Sequence, residues 1–127
     1  MSFGSNFNTI IQGDSSLTGY CTGGIYYENL PDNYSLTKNW LVYSFQKSEQ
    51  TNCLDSKNAY TTYALTCKLV CHDTGTLETI SDYLTTLLNG STEDGIQDIT
   101  FRGDIHSVDL EKGIYINSLD FDSFYVA

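Results

Sequence analysis

Between Ala59 and Gly90 the spacing of the apolar residues changes once, and that change constrains the fold more than any other feature of the chain. In "AYTTYALTCKLVCH" the positions Tyr63, Leu65, Cys67, Leu69 and Cys71 alternate with Thr62, Ala64, Thr66, Lys68 and Val70. A period of two places one set on each face of a strand. In "DTGTLETISDYLTTLLNG" the residues Leu77, Ile80, Leu84, Leu87 and Leu88 recur at helical spacing, which makes one apolar stripe. Asp73, Thr74 or Thr76 can cap this helix, and Glu78 and Asp82 sit in its early turns, where the dipole favours acids. Asn89-Gly90 can end it. A helix with a single apolar stripe has to bury it, and the strand just before it supplies the partner face.

The same stretch holds "CKLVCHD", Cys67 to Asp73, the vocabulary of a metal or redox centre. Strand geometry argues against that chemistry. Four residues at about 3.4 Å each separate Cys67 from Cys71 by about 13 Å, whereas two thiolates on one zinc lie within about 4 Å of each other. His72 falls on the face opposite Cys71. The expectation is two buried core thiols, with His72-Asp73 marking the strand-to-helix joint. Cys21 and Cys53 complete a set of four, expected to be reduced because no basic start or long apolar run marks a secretion signal. A cytoplasmic chain follows from the same observation, and the sequons at Asn33 and Asn89 then carry no meaning.

The remaining segments extend the pattern. A short helix is expected from about Asn6 to Gln12, stopped by Gly13. "IYYENL" and "NWLVYSFQ" read as strands, with "PDN" as turn chemistry between them. "KSEQTNCLDSKN" reads as a loop. After "STEDG", a strand "IQDITFRGDIHSVDL" carries Ile99 and Phe101 on one face, "EKG" turns the chain, and "IYINSLDFDSFYVA" returns. Its apolar phase moves from Ile114 and Ile116 to Leu119 and Phe121, which suggests a bulge near Asn117 or Ser118. The predicted architecture is one α+β domain over residues 1–127. It has two layers: an antiparallel sheet of four or five strands, with helices packed on one face.

Composition narrows the functions. The chain is 40% hydrophobic, enough for a real core, and no apolar run approaches the roughly 20 residues of a membrane span. Six Lys and Arg against sixteen Asp and Glu give a net charge of −10. Phosphate binding relies on those cations, so ordinary nucleic-acid recognition is excluded, while a surface that repels passing DNA is compatible. There is no P-loop, no dinucleotide fingerprint and no zinc-ligand or calcium-loop spacing, so no cofactor and no metal is expected. "DIHSVD" offers Asp104, His106 and Asp109 for acid–base work, but no nucleophile motif accompanies them, and a solvated hairpin end is the simpler account. Asp120 and Asp122 share a strand face and form only a weak cation motif. "RGD" at Arg102 to Asp104 falls in or beside a strand and does not read as an adhesion loop. No catalysis is expected.

The aromatic residues stand out. Ten Tyr, six Phe and one Trp lie largely on expected strands. Helices on one face can hide only half of them. Tyr26, Tyr27, Trp40, Tyr60, Tyr115, Phe124 and Tyr125 are therefore candidate subunit or partner contacts, with ordinary cross-strand pairing the alternative for each.

The order of "DSSLT", "GGIYYENLP" (with Gly24, Ile25, Tyr26 and Pro31), "WLVYSF", a long strand, "TLETISDYLTTLLNG" and "GIYINSLDFDSFYV" resembles the tail-terminator or tail-completion proteins of tailed bacteriophages, over nearly the whole chain. The resemblance implies a structural virion protein assembled in the host cytoplasm. It implies self-association into a ring, commonly a hexamer, that caps the tail tube and ends its polymerisation. The implied partners are the tail tube protein and a neck or head-completion protein, with DNA only passing through the channel and no membrane involved. Another head–tail connector, or a small α+β ligand-binding or regulatory module, is the alternative.

Overall fold

A computed structural model describes residues 3–52, 59–90 and 96–126, and their side chains apart from those of residues 48–52, 59, 60, 97 and 126. The elements run α1 (Phe3–Gly13), α2 (Ser15–Tyr20), β1 (Gly24–Tyr27), β2 (Trp40–Asn52), β3 (Ala59–Cys71), α3 (Thr74–Leu88), β4 (Ile96–Asp109) and β5 (Ile114–Val126). The fold is α+β, with one open five-stranded sheet in the order β1-β2-β3-β5-β4.

The change of period at Cys71 is realised as expected. β3 ends at Cys71 and α3 starts at Thr74. Asp73 is the N-cap: its carboxylate accepts from the backbone N–H of Gly75 and Thr76, and from the Thr76 hydroxyl. The alternation of β3 buries Leu65, Cys67, Leu69 and Cys71 on one face, against Leu77, Ile80, Leu84 and Leu88 of α3. α1 and α2 bring Phe3, Phe7, Ile11 and Leu17 to the same core. All three helices thus cover one face of the sheet.

Four local expectations are corrected. α1 begins at Phe3 rather than near Asn6, because Phe3 anchors an aromatic cluster: it stacks on Tyr63 at 4.2 Å and meets Phe45 edge-on at 5.1 Å. A six-residue helix, α2, follows, nucleated by Asp14, whose carboxylate accepts from the Leu17 N–H at 2.8 Å. β2 runs on to Asn52, so the polar residues 47–52 are strand, paired with β3 as far as Asn52↔Ala59. Cross-strand hydrogen bonds hold this segment although its composition is that of a loop. Finally, β5 pairs with β3 in continuous register from Cys71↔Tyr115 to Tyr60↔Val126 and has no bulge at Asn117 or Ser118. The register shifts lie in edge strand β4, at Ile96/Asp98 and Phe101/Gly103. Ile114 changes phase because its side chain is buried on the other face, with Trp40 and Val70.

β1 is the exception to an antiparallel sheet. It pairs with β2 in parallel, Gly24↔Trp40 to Tyr27↔Tyr43, and a parallel neighbour requires a crossover. Residues 28–39 make that crossover over the face the helices leave open. Leu30 and Tyr34 pack there against the Trp40 cluster, and the Trp40 indole N–H donates to the Ser35 carbonyl at 2.8 Å. Gly23 makes the approach possible, since a Cβ there would lie 2.3 Å from the Trp40 ring. At the β4–β5 turn Gly113 takes φ 68, the left-handed value that glycine accepts without a Cβ clash.

Candidate functional site

A groove of about 610 Å³ opens between α3 and the β4–β5 hairpin. Its origin is topological. Registers put His106 beside Asn117, Asp104 beside Leu119 and Val108 beside Tyr115, so all three β4 residues lie on the helix-covered face. Yet His106 and Val108 are exposed, as is Asp104. α3 packs over β3 and β5, and the outer half of β4 stands uncovered beside it.

A polar chain lines this groove. The Asn117 side-chain amide is fully buried and donates through Nδ2 to Ser81 Oγ at 2.9 Å and to Asp104 Oδ2 at 3.1 Å. His106 Nε2 lies 3.1 Å from the same Asp104 oxygen. Asn117 Oδ1, also buried, has no hydrogen-bond partner. Glu78 and Asp82 of α3 contribute two more carboxylates, and Leu77, Val108 and Tyr115 supply the apolar wall. Alternation in the sequence could have placed Asp104 and His106 on one face. It gave no hint of Ser81 and Asn117, which come from distant elements.

The arrangement does not make a hydrolytic triad. A nucleophilic serine needs its base within hydrogen-bonding reach, and here the recorded partner of Ser81 is Asn117 while that of His106 is Asp104. Asp109 does not join them. It faces the opposite side of the sheet, paired with Ile114, and its carboxylate accepts from the Lys112 N–H in the turn. Asp120 and Asp122 also lie on that opposite side, where Asp120 accepts from the Thr66 hydroxyl at 2.9 Å and Asp122 pairs with Arg102 at 3.4 Å. That ion pair and the strand position of Gly103 occupy the "RGD" tripeptide. Among the described residues no three or more His, Cys, Asp and Glu side chains cluster as a metal site would require, and no helix is long and apolar enough to cross a membrane.

Cys21, Cys67 and Cys71 are buried free thiols; Cys53 lies outside the described residues. Burial, reinforced by Cys71 for Cys21 and by Asp73 for Cys71, pushes the Cys21 and Cys71 thiols up to about 12. Burial raises Cys67 further, with Asp120 adding repulsion. Such thiols are unreactive hydrophobes, not ligands.

The aromatic candidates divide. Trp40 and Tyr125 are spent inside the fold: each is 6% exposed, and the Tyr125 hydroxyl accepts from Asn6 Nδ2 at 3.2 Å. Tyr26 packs on Trp40 at 5.7 Å. Tyr115 packs against the main core and lines the groove. Tyr27 and Phe124 keep 46% and 39% of their surface exposed. The Tyr60 side chain lies outside the described residues. Sequence reasoning missed Ile105, Val108 and Leu110, exposed by 67%, 49% and 83% on and beyond β4.

No protein-family model matches the chain, and no curated protein matches it either. Among solved structures it is similar to a chain of the "Virion of native gene transfer agent (GTA) particle". The TM-score is 0.73 at 11% sequence identity, over 99% of this chain and 96% of that one. At that identity the likeness is one of fold, and it spans nearly the whole of both chains.

Proposed function

We propose that this chain is a structural virion protein of a phage-like particle, acting in the tail or neck. It forms an oligomeric ring, of six subunits by the resemblance, that caps the tail tube, ends its polymerisation and joins it to the head-completion proteins. The observation that carries this reading is the end-to-end likeness of fold to a chain from a gene transfer agent virion. The molecule's edges support it. Among the described residues the outer edge of β2 beyond Tyr43 has no strand partner, and β4 ends the other side of the sheet with no strand beyond it, its outer edge met only at Ile99 and Phe101 by Gly90 and Asn89. Open edges are natural sites for strand addition between subunits. Two different edges joined head to tail give a heterologous contact that can close into a ring. Tyr27 on the first edge, and Ile105 and Leu110 on the second strand and its turn, are the contacts this arrangement would bury. The charge of −10 suits a channel through which DNA slides without sticking.

The test is assembly. The protein is mixed with the tail tube protein of the same particle and viewed by negative-stain microscopy. Rings at one end of tubes, and shorter tubes as its concentration rises, are the expected outcome. Unchanged tube length with no ring at any ratio counts against the capping role. Binding to a purified neck protein without effect on tubes would favour a connector function instead.

A further inference from the structure

We propose that the groove between α3 and β4 receives a basic side chain, an arginine above all, carried by a segment of a partner protein. Three observations converge on that chemistry. First, the wall is acidic on both sides: Glu78 and Asp82 come from the helix and Asp104 from the strand, and no lysine or arginine lines it among the described residues. Second, Asn117 presents a buried oxygen with no donor. An unpaired buried acceptor carries a desolvation cost that an incoming N–H group removes. Third, Asn117 Nδ2 is bonded to Asp104 Oδ2, so the side chain that carries the orphan acceptor is tied directly to a carboxylate of the groove. A guanidinium offers several N–H donors in a fixed plane and can serve both.

The competing pull is weak. The N-terminus of α3 lies at the groove and would favour an anion, but Asp73 already takes the Gly75 and Thr76 N–H groups. A volume of about 610 Å³ holds more than one side chain. The wall of Leu77, Val108 and Tyr115 provides apolar surface for the residues that flank the cation. A second copy of this chain is a poor donor of that cation, because it carries only six Lys and Arg against sixteen acids. A partner segment of opposite charge is the complementary occupant. This inference stands on the groove alone and survives if the ring reading fails.

The experiment uses the full chain, labelled with ¹⁵N, titrated with acetyl-Leu-Arg-Leu-amide and with the same peptide carrying citrulline, which keeps the shape and loses the charge. Chemical-shift changes centred on Ser81, Asp104, His106 and Asn117 are expected. The citrulline peptide should bind about tenfold more weakly or worse, as should the Arg peptide to Asp104→Asn. Glu78→Gln, on an exposed helix position, weakens binding less and leaves the spectrum otherwise native. Equal binding of the citrulline peptide overturns the proposal. So does an equal response at Asp120 and Asp122 on the other face, which would mean diffuse attraction to an acidic surface. Absence of any shift at about 5 mM peptide overturns it as well.

Discussion

The two faces of the sheet are built by opposite means. The helix-covered face is a continuous apolar layer: Leu41, Leu65, Cys67, Leu69, Leu119 and Phe121 are each no more than 1% exposed beneath three helices. The other face has one small cluster, Trp40, Val70 and Ile114, roofed by the crossover loop, with Lys112 5.8 Å from the Tyr34 ring at its rim. Beyond it lie Thr66, Lys68, Asp120 and Asp122. Removing an equal number of atoms should therefore cost more on the first face. Ile80→Ala opens a cavity at a fully buried site, which rigid neighbours cannot fill. It is expected near the top of the range of about 2–5 kcal/mol for such truncations. Ile114→Ala, under a loop that can settle, is expected near about 2 kcal/mol. Urea denaturation of both variants measures the difference; equal losses would mean that the crossover is as firmly packed as the helices.

Next in size is Gly23→Ala. The new methyl meets the Trp40 ring, which the Ser35 hydrogen bond holds in place. Overpacking of this kind costs about 1–3 kcal/mol. The tryptophan emission should shift to the red as the indole is displaced, and an unshifted spectrum would show that the loop yields instead.

The covered face also depends on its helix caps, and these respond to acid. Bonds from the Thr76 hydroxyl and backbone hold the Asp73 carboxyl below its usual value of 3.8. Tyr83 foremost, then the Leu17 N–H, do the same for Asp14. A carboxyl depressed on folding stabilises the fold above its unfolded pKa and loses that contribution as pH falls through the folded value. Asp73→Ala and Asp14→Ala should lower the melting temperature at pH 7, and the gap from the parent should close as pH falls below 3.8. A gap that persists in acid would assign the loss to packing. Smallest at neutral pH is the effect of the thiols. Because burial raises them, the folded chain keeps Cys21, Cys67 and Cys71 protonated while the unfolded chain ionises near 9.0. Their contribution is complete below that pH and declines as it rises further. Ellman's reagent at pH 8 should label these three only after unfolding, and rapid native labelling would show that the core opens locally.

How much of this was legible depended on the distance over which each signal acts. The alternation of Tyr63 to Cys71, the stripe of Leu77 to Leu88 and the cap at Asp73 are local, and they fixed strand, helix and joint. α2 escaped because six residues carry too little periodicity to register, and its stabilising partner, Tyr83, lies far along the chain. Residues 47–52 read as loop because backbone pairing, to which composition is blind, makes them strand. The candidate site was half legible: Asp104 and His106 share a strand face in any reading, whereas Asn117 and Ser81 join them only because β5 lies between β3 and β4.

"CKLVCHD" shows the division most compactly. Sequence alone determined that Cys67 and Cys71 sit too far apart on one strand to share a metal, and that Asp73 starts the helix, because strand spacing and capping act over a few residues. Tertiary structure alone decided that β1 runs parallel to β2, that the crossover roofs Trp40, and that an acidic groove with an unpaired Asn117 oxygen opens beside α3. Those outcomes depend on which strands become neighbours, and neighbours are chosen by the burial of whole faces rather than by any residue's local preference.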